Sequence, residues 1–458
     1  MRMWLVSVVI VIAALMLMPG QTQQAFHFRL PIIRDDGSEV LYQAIPVTMG
    51  QPALDIFQMP VNNMSTLGMR LFLNGTPLVL PGQFQDAARP HFSVSQGLHI
   101  VYMRGGNGTP LQVYLYDRQK GEERLISAIG GNPAANHSVC PRVNKNGRVV
   151  LFVSLDQGLH DPDGNGAPDP LPVYATPTSS APWIVYIHDR DLDGNGVYDE
   201  PPDPVTGQPR VATFAVAATS SPYVGLSLDT GGTYIAYQVY DQSTKSWGLF
   251  VKDWRNNVWT DPPVAVSPVA FSAPSVIGII QPVNGALVAF TANTAFNGNK
   301  AGVWLAEVDF SQASPQVRLN PISLNNGVNG APVISPDASF IAFHTTASDI
   351  VIPGLTDRNG VDDIYVFDLT TLTPIWSTLL VRNLPSGPLP PIGLFDPCVH
   401  PSLSSLVGSN LFIAFEHWLK DPATGQPQII IRKAQIQPTS NLLPLLRLGR
   451  ARRYVPLK

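Results

Sequence analysis

The stretch "DRDLDGNGVYDE", residues 189–200, gathers five carboxylates into twelve positions, with two glycines and an asparagine among them. Like charges at such spacing repel one another unless a cation or a set of donors neutralises them. A second stretch, "DPDGNGAPD", follows the same formula at 161–169. Asp161, Asp163, Asn165 and Asp169 of that loop correspond to Asp191, Asp193, Asn195 and Asp199 of the other. Oxygen-bearing side chains at positions 1, 3 and 5, a glycine at 6, a backbone carbonyl at 7 and an acid at 9 are how a loop wraps a hard cation. The chemistry expected here is Ca²⁺ binding, structural rather than catalytic.

The later loop also reads two residues earlier, with Asp189, Asp191 and Asp193 leading, Gly194 at the turn and Glu200 closing at position 12. Asp189 has a plainer role in that register, because Asp ends the corresponding strand of four other repeats described below. The register shared by both loops is therefore preferred, and Glu200 adds a ligand in either. A third, shorter loop, "TDRNGVDD", sets Asp357, Asn359, Asp362 and Asp363 about Gly360. Each of the three reads alternatively as a solvated Asp/Asn/Gly turn. Weak Ca²⁺ sites stay filled outside the cell, and a metal bound by the folded state alone stabilises it by mass action.

What must position these loops is a repeat. The copies read "ARPHFSVSQGLHIVYM" from Ala88, "CPRVNKNGRVVLFV" from Cys140, "SPYVGLSLDTGGTYIAY" from Ser221, "APSVIGIIQPVNGALVAF" from Ala273, "APVISPDASFIAF" from Ala331 and "DPCVHPSLSSLVGSNLFIAF" from Asp396. In each, Pro opens a short strand, a polar turn follows, and an apolar strand ends in an aromatic. Another strand comes next and usually stops at Asp: "LQVYLYD", "WIVYIHD", "WGLFVKD", "VWLAEVD" and "DIYVFD", with "QIIIRK" departing in the sixth. A fourth apolar run, such as "RLIS" at 124–127, completes the unit. Four-stranded repeats of this length predict an all-β, six-bladed β-propeller of four-stranded antiparallel blades; a helical period is absent. The interval from Pro141 to Pro222 is longer than its neighbours by about one hairpin, and it holds both long acidic loops.

"APVISPDASFIAFHT" with "DDIYVFDL" carries the resemblance that the whole series shows: the repeats resemble the TolB-like family of β-propellers, over residues 88–435. The resemblance implies the fold and says little about function. It also implies that loops of the form D-x-N-G-x-x-D bind Ca²⁺ or make Asx turns. The turn glycine of the family pattern is missing from most copies here.

Residues 26–87 contain strand-like runs, "EVLYQAIPV" and "MRLFLNGTPLVL", that would supply a closing strand to the sixth blade or a small cap. Residues 436–458 read as a solvated tail, Leu-rich and then basic. Residues 1–25 begin with a positive charge and an apolar run from Met3 to Met18, the pattern of an export signal or, if uncleaved, an N-terminal anchor and the sole membrane contact. Export to the periplasm, cell surface or exterior follows. Cys140 and Cys398 are either one disulfide or two buried thiols.

A net charge of −4, with charged residues at 14% of the chain, argues against a nucleic-acid partner. No G-x-S-x-G elbow is present, and the nine His residues are scattered, with no H-E-x-x-H and no close pair in sequence. Residues after the opening prolines, His91, Arg142 and Tyr223 among them, together with His400, are candidates to line the central channel, as packing or as a weak binding site. The expected function is a non-catalytic module that binds an envelope protein or glycan. A propeller hydrolase or lyase acting on a polysaccharide or small ester in the channel, and a structural component of an extracellular matrix, are the alternatives.

Overall fold

A computed structural model describes residues 26–46, 53–60 and, with short interruptions, 98–438, together with short strands between 69 and 92 and at 455–456. Residues 1–25 and Tyr223 lie outside the described residues. The chain is a β-propeller. Among the described residues each of the six repeats forms an antiparallel sheet of consecutive strands in up-and-down order, and the N-terminal segment adds a further sheet packed against the first and the last of them.

Blade one joins His91–Phe92, His99–Gly106, Thr109–Asp117 and Glu122–Leu125. Blade two joins Ser138–Val143, Val149–Ser154, Trp183–Asp189 and Ala212–Thr219. The third, fourth and fifth repeats follow the same order. In the sixth, three strands are found among the described residues: Cys398–Leu403, Leu411–Lys420 and Pro427–Ile436.

The N-terminal segment, expected as a closing strand or small cap, forms a sheet of its own. Phe26–Ile33, Glu39–Pro46 and Ala53–Pro60 pair in succession, with Val79–Pro81 also on Ala53–Pro60. On one side Ile33, Val40 and Tyr42 pack with Ala414 and Ile431 of the sixth sheet. Ile33 N–H donates to Ser402 Oγ at 3.0 Å, and Ser405 N–H to the Asp35 carbonyl at 2.8 Å. On the other side Arg118 of blade one grips Glu39 at 2.8 and 3.1 Å. Leu41 joins the core that contains Ile100 and Tyr102. The tail contributes Val455–Pro456, paired with the inner strand Ser275–Gln281 of the fourth sheet.

Sheets stacked face to face bury both faces of their middle strands, so these strands are continuous apolar runs rather than alternating ones. Val149–Ser154 and Trp183–Asp189 are buried at every residue. In four of the repeats the polar turn is a side-chain cap on the next strand. Asn144 Oδ1 accepts Val149 N–H (2.9 Å), Asp229 Oδ1 accepts Tyr234 N–H (2.7 Å), Ser335 Oγ accepts Phe340 N–H (2.9 Å) and Ser404 Oγ accepts Phe412 N–H (3.0 Å). The Asp that ends the third strand works in the same way. Asp117 Oδ1 accepts the amides of Gln119 and Lys120, and Asp368 Oδ1 those of Thr370 and Thr371.

The structure shifts one alignment. Bulges interrupt the inner strands between Val139 and Arg142, Gly330 and Val333, and Val399 and Ser402. The prolines inside them are Pro141, Pro332 and Pro401, so Pro401, not Pro397, is the sixth equivalent. His400 therefore corresponds to Cys140, and both have positive φ, 51° and 57°. Cys140 and Cys398 are buried, and neither is in a disulfide.

Candidate functional site

The first acidic loop lies in the connection between the second and third strands of blade two. It does not hang free: Asp161 and Thr213 exchange backbone hydrogen bonds of 2.8 and 3.0 Å, which lays the loop along the outer strand. Asp169 N–H donates to the His160 carbonyl at 2.7 Å and closes the loop's far end. Between them the chain turns through Gly164 and Gly166, with φ of 60° and 81°. The amides of Asn165 and Gly166 then donate to Asp161 Oδ1 and Oδ2, each at 3.0 Å.

Carboxylate oxygens of Asp161, Asp163 and Asp169 lie within 4.8 Å of one another; no other group of three His, Cys, Asp or Glu side chains does so among the described residues. Asn165 is tied in through its Nδ2, which donates to Asp163 Oδ2 at 2.8 Å. Burial pushes the Asp161 carboxyl above the ordinary Asp range, and its hydrogen-bonded neighbour Asp163 adds to this against the pull of the loop amides. Charge of one sign is concentrated here, and no Lys or Arg ion pair with these three is found among the described residues.

The second loop, after the third strand of blade two, has the same turn chemistry. Gly194 and Gly196 have φ of 72° and 85°, and Gly196 N–H donates to Asp191 Oδ2 at 3.2 Å. Its carboxylates, however, are taken by arginines. Arg148 forks onto Asp189 at 2.7 and 2.9 Å and lies 3.7 Å from Asp191. Buried Arg190 holds Asp199 at 2.5 Å, and Arg124 of blade one reaches the same carboxylate at 3.5 Å. Arg210 spans Asp193 (3.4 Å), Glu200 (3.1 Å) and Asp203 (2.9 Å). Burial raises the Asp199 carboxyl, but hydrogen bonds and charge from Arg190 outweigh it and hold the group below the ordinary range. Asp191 keeps one buried oxygen, Oδ1, without a hydrogen-bond partner.

The first loop packs against the segment that returns from the second loop to the outer strand. A Cβ at Gly164 would fall 2.3 Å from Pro209 Cβ and 2.4 Å from the Val211 carbonyl oxygen. The third loop sits in the fifth blade's connection equivalent to the first loop's, yet its carboxylates face several ways. Asp357 accepts Asn359 N–H at 3.1 Å and the Tyr365 hydroxyl at 3.3 Å. Asp363 accepts Asn359 Nδ2 and the Thr378 hydroxyl, while Asp362 meets His344 at 3.0 Å.

Of the channel candidates, Arg142 spends its guanidinium on the carbonyls of Leu226 (3.2 Å) and Pro141 (2.8 Å). His91 pairs with Val101 through the backbone. His400 Nδ1 lies 3.0 Å from Glu416 Oε1, close but off the axis of a hydrogen bond. Sequence reading missed Arg148, Arg190 and Arg210, although Arg190 stands within the acidic run itself; Arg148 and Arg210 reach it from other segments. It missed His344 and Glu416 altogether.

No family model and no curated protein sequence matches the chain. Among solved structures it is similar to the β-propeller domain of the Trilobed protease from Pyrococcus furiosus, at 12% identity and TM-score 0.45 over 93% of this chain and 100% of that one. It is similar also to a prolyl endopeptidase (15%, 0.46, 89% of this chain and 49% of that chain) and to the acylaminoacyl peptidase of Pyrococcus horikoshii (11%, 0.46, 90% and 52%). The chain spans about half the length of these two peptidases.

Proposed function

We propose that this chain is an exported, TolB-like β-propeller of the cell envelope that binds a protein or glycan without catalysing a reaction, and that Ca²⁺ held by Asp161, Asp163 and Asp169 orders the long excursion of its second blade. The convergence of those three carboxylates, with no arginine or lysine paired to them among the described residues, carries the reading. Their donor set fits Ca²⁺: hard carboxylate oxygens on a loop that turns on two glycines. When bound, the ion supplies the positive charge that the loop lacks. Asp161 joins the loop to the outer strand, so a filled site would fix the excursion on the rigid ring, where loops serve recognition.

The second and third loops are left out of this proposal, because arginines or local hydrogen bonds engage most of their carboxylates. The experiment is thermal unfolding of the full chain with Ca²⁺ and with EDTA, alongside D161N, followed by recovery of envelope proteins and glycans under both conditions. Ca²⁺ should raise the melting temperature of the wild type and leave D161N unmoved. An unchanged melting temperature, with no Ca²⁺ in native mass spectrometry, removes the metal. Turnover of a polysaccharide or ester panel removes the non-catalytic role.

A further inference from the structure

In the propeller the first strand of each repeat stands nearest the axis, where it adjoins the first strands of its neighbours. Hydrogen bonds tie these strands together. Ile334 N–H donates to Ser275 Oγ at 3.0 Å between the fifth and fourth sheets, and Arg142 Nε–H to the Leu226 carbonyl at 3.2 Å between the second and third. One edge of each first strand pairs with the second strand of its own sheet, so the other edge is turned to the central channel. In five of the six repeats no further strand pairs there among the described residues; in the fourth, Val455–Pro456 does.

The reason lies in the strands. A row of unpaired backbone donors and acceptors is a template for any extended chain, and proteins blunt such edges with prolines, bulges or very short strands. Five of the inner strands use these devices. Ser138–Val143, Asn329–Ile334 and Cys398–Leu403 are bulged around Pro141, Pro332 and Pro401, while His91–Phe92 and Leu226–Leu228 are two and three residues long. Ser275–Gln281 uses none of them. It reads SVIGIIQ, with four β-branched residues and no charge, and it pairs with Gly285–Ala292 from Ser275↔Ala289 to Ile279↔Gly285 without a break. Pro274 and Pro282 stand just outside it.

We propose that the channel-facing edge of Ser275–Gln281 is a binding site for an extended peptide, which it takes up by strand addition, and that the chain's own residues 455–456 occupy it in cis. The pairing is antiparallel and sets Ile279 against Pro456 and Gln281 against Val455. An added strand pairs along one edge only, which is where a proline is tolerated in a sheet. Main-chain hydrogen bonds give such sites their affinity, so the chemistry recognised is an extended peptide backbone. A segment joined to the same chain competes at an effective concentration on the order of a millimolar. A peptide offered in trans therefore meets a site already filled. Neither the acidic loop of blade two nor its Ca²⁺ takes part, and the site does not depend on the envelope partner proposed above.

Two experiments on the full chain, kept in Ca²⁺, test this. In Q281C/V455C, mild oxidation should join the two introduced cysteines, as read by peptide mapping, because the Cα atoms of paired residues lie about 5 Å apart, within disulfide reach. In the second, a protease site inserted between residues 439 and 449 is cut after folding and the freed segment is removed by gel filtration. A fluorescein-labelled peptide of residues 450–458 is then added. Its anisotropy should show saturable binding to the cut protein and binding about tenfold weaker, or less, to the uncut protein, as a cis competitor at millimolar effective concentration requires. The same peptide N-methylated at Tyr454, Val455 and Leu457 cannot donate along the strand and should not bind. Absence of the 281–455 cross-link, a cut protein that does not bind the peptide or binds it no better than the uncut one, or full binding of the methylated peptide overturns the proposal.

Discussion

The two acidic loops of blade two share nine-residue formulas, D-x-D-G-N-G-x-x-D, and turn on glycines in the same left-handed conformation. Their electrostatics differ completely. In the loop at 161–169 three carboxylates converge with no paired cation among the described residues, whereas the loop at 189–200 is neutralised by Arg148, Arg190 and Arg210. A local formula therefore sets the turn, and the residues that reach it from outside set its charge. The first loop has no paired cation among the described residues; the second has three arginines about it.

The sharpest way to break that contrast is Arg190→Ala. Arg190 is almost fully buried, and its loss leaves the carboxylate of Asp199 largely buried without its main partner. Removing one member of such a pair costs about 3–5 kcal/mol, which urea unfolding should report. A loss under about 1 kcal/mol, by the exposed-pair scale, would mean that the second loop is not held by its arginines.

Next comes the metal itself. At a free Ca²⁺ concentration a hundredfold above the dissociation constant, mass action stabilises by about 2.7 kcal/mol. EDTA should remove that increment from the wild type and from D191N, but not from D161N. A response that follows Asp191 instead would exchange the roles of the two loops.

Glycines give a finer test of how each loop is packed. Alanine at Gly196 has open space and pays chiefly for the left-handed backbone, about 1–2 kcal/mol. Alanine at Gly164 pays this and also collides with Pro209 and the Val211 carbonyl. G164A should therefore be the less stable of the two and should weaken the Ca²⁺ response as well. Equal melting temperatures would show that the packing of Gly164 against Pro209 and Val211 carries no weight.

The pH dependence separates the loops by sign. Asp199 titrates below its ordinary range in the folded state, so its contribution is present above the unfolded Asp value of about 3.9 and is lost as pH falls toward the folded one. His188 beside it, which burial holds at about 4, adds its own loss between about pH 6.5 and 4. The Asp199 signature is thus read below about pH 4, as the difference in urea midpoint between wild type and D199N. A parallel pair of curves there would remove Arg190 as the cause of the shift.

Much of this was legible in the chain. Polar turn residues and strand-ending aspartates recur in sequence because each caps backbone amides within a few positions, as Asp117 and Asp368 do, and such contacts leave a periodic trace. The N-terminal sheet leaves none: its runs fit a closing strand or a small cap alike in the sequence, because their partners lie beyond their own segment, at Arg118 and Ser402. The arginines that neutralise the second loop, and the ring contact of His344 with His400, are contacts between strands or sheets. They depend on which face a residue takes and on the bulge that turns His400, and spacing does not encode either. The register was also misread at Pro397, since two prolines compete in that copy and only packing distinguishes them.

Arg210 gives the smallest effect and tests the contrast at its weakest point. It bridges Asp193, Glu200 and Asp203, but the groups are partly exposed and the distances run from 2.9 to 3.4 Å. Pairs of this kind are screened by water and salt and contribute about 0–1 kcal/mol each. Arg210→Ala should lower stability by about 1 kcal/mol at low salt and by less at high salt, as the Debye length shrinks. It should also leave Asp193 and Glu200 without their cation, which brings the second loop closer to the state of the first. The variant is therefore expected to gain a weak second Ca²⁺ response, seen as a stoichiometry above that of the wild type in calorimetry. A single Ca²⁺ per chain in the variant would mean that Arg148 and Arg190 alone keep the second loop closed to metal, because Asp191 and Asp199 are the ligands that a cation there requires.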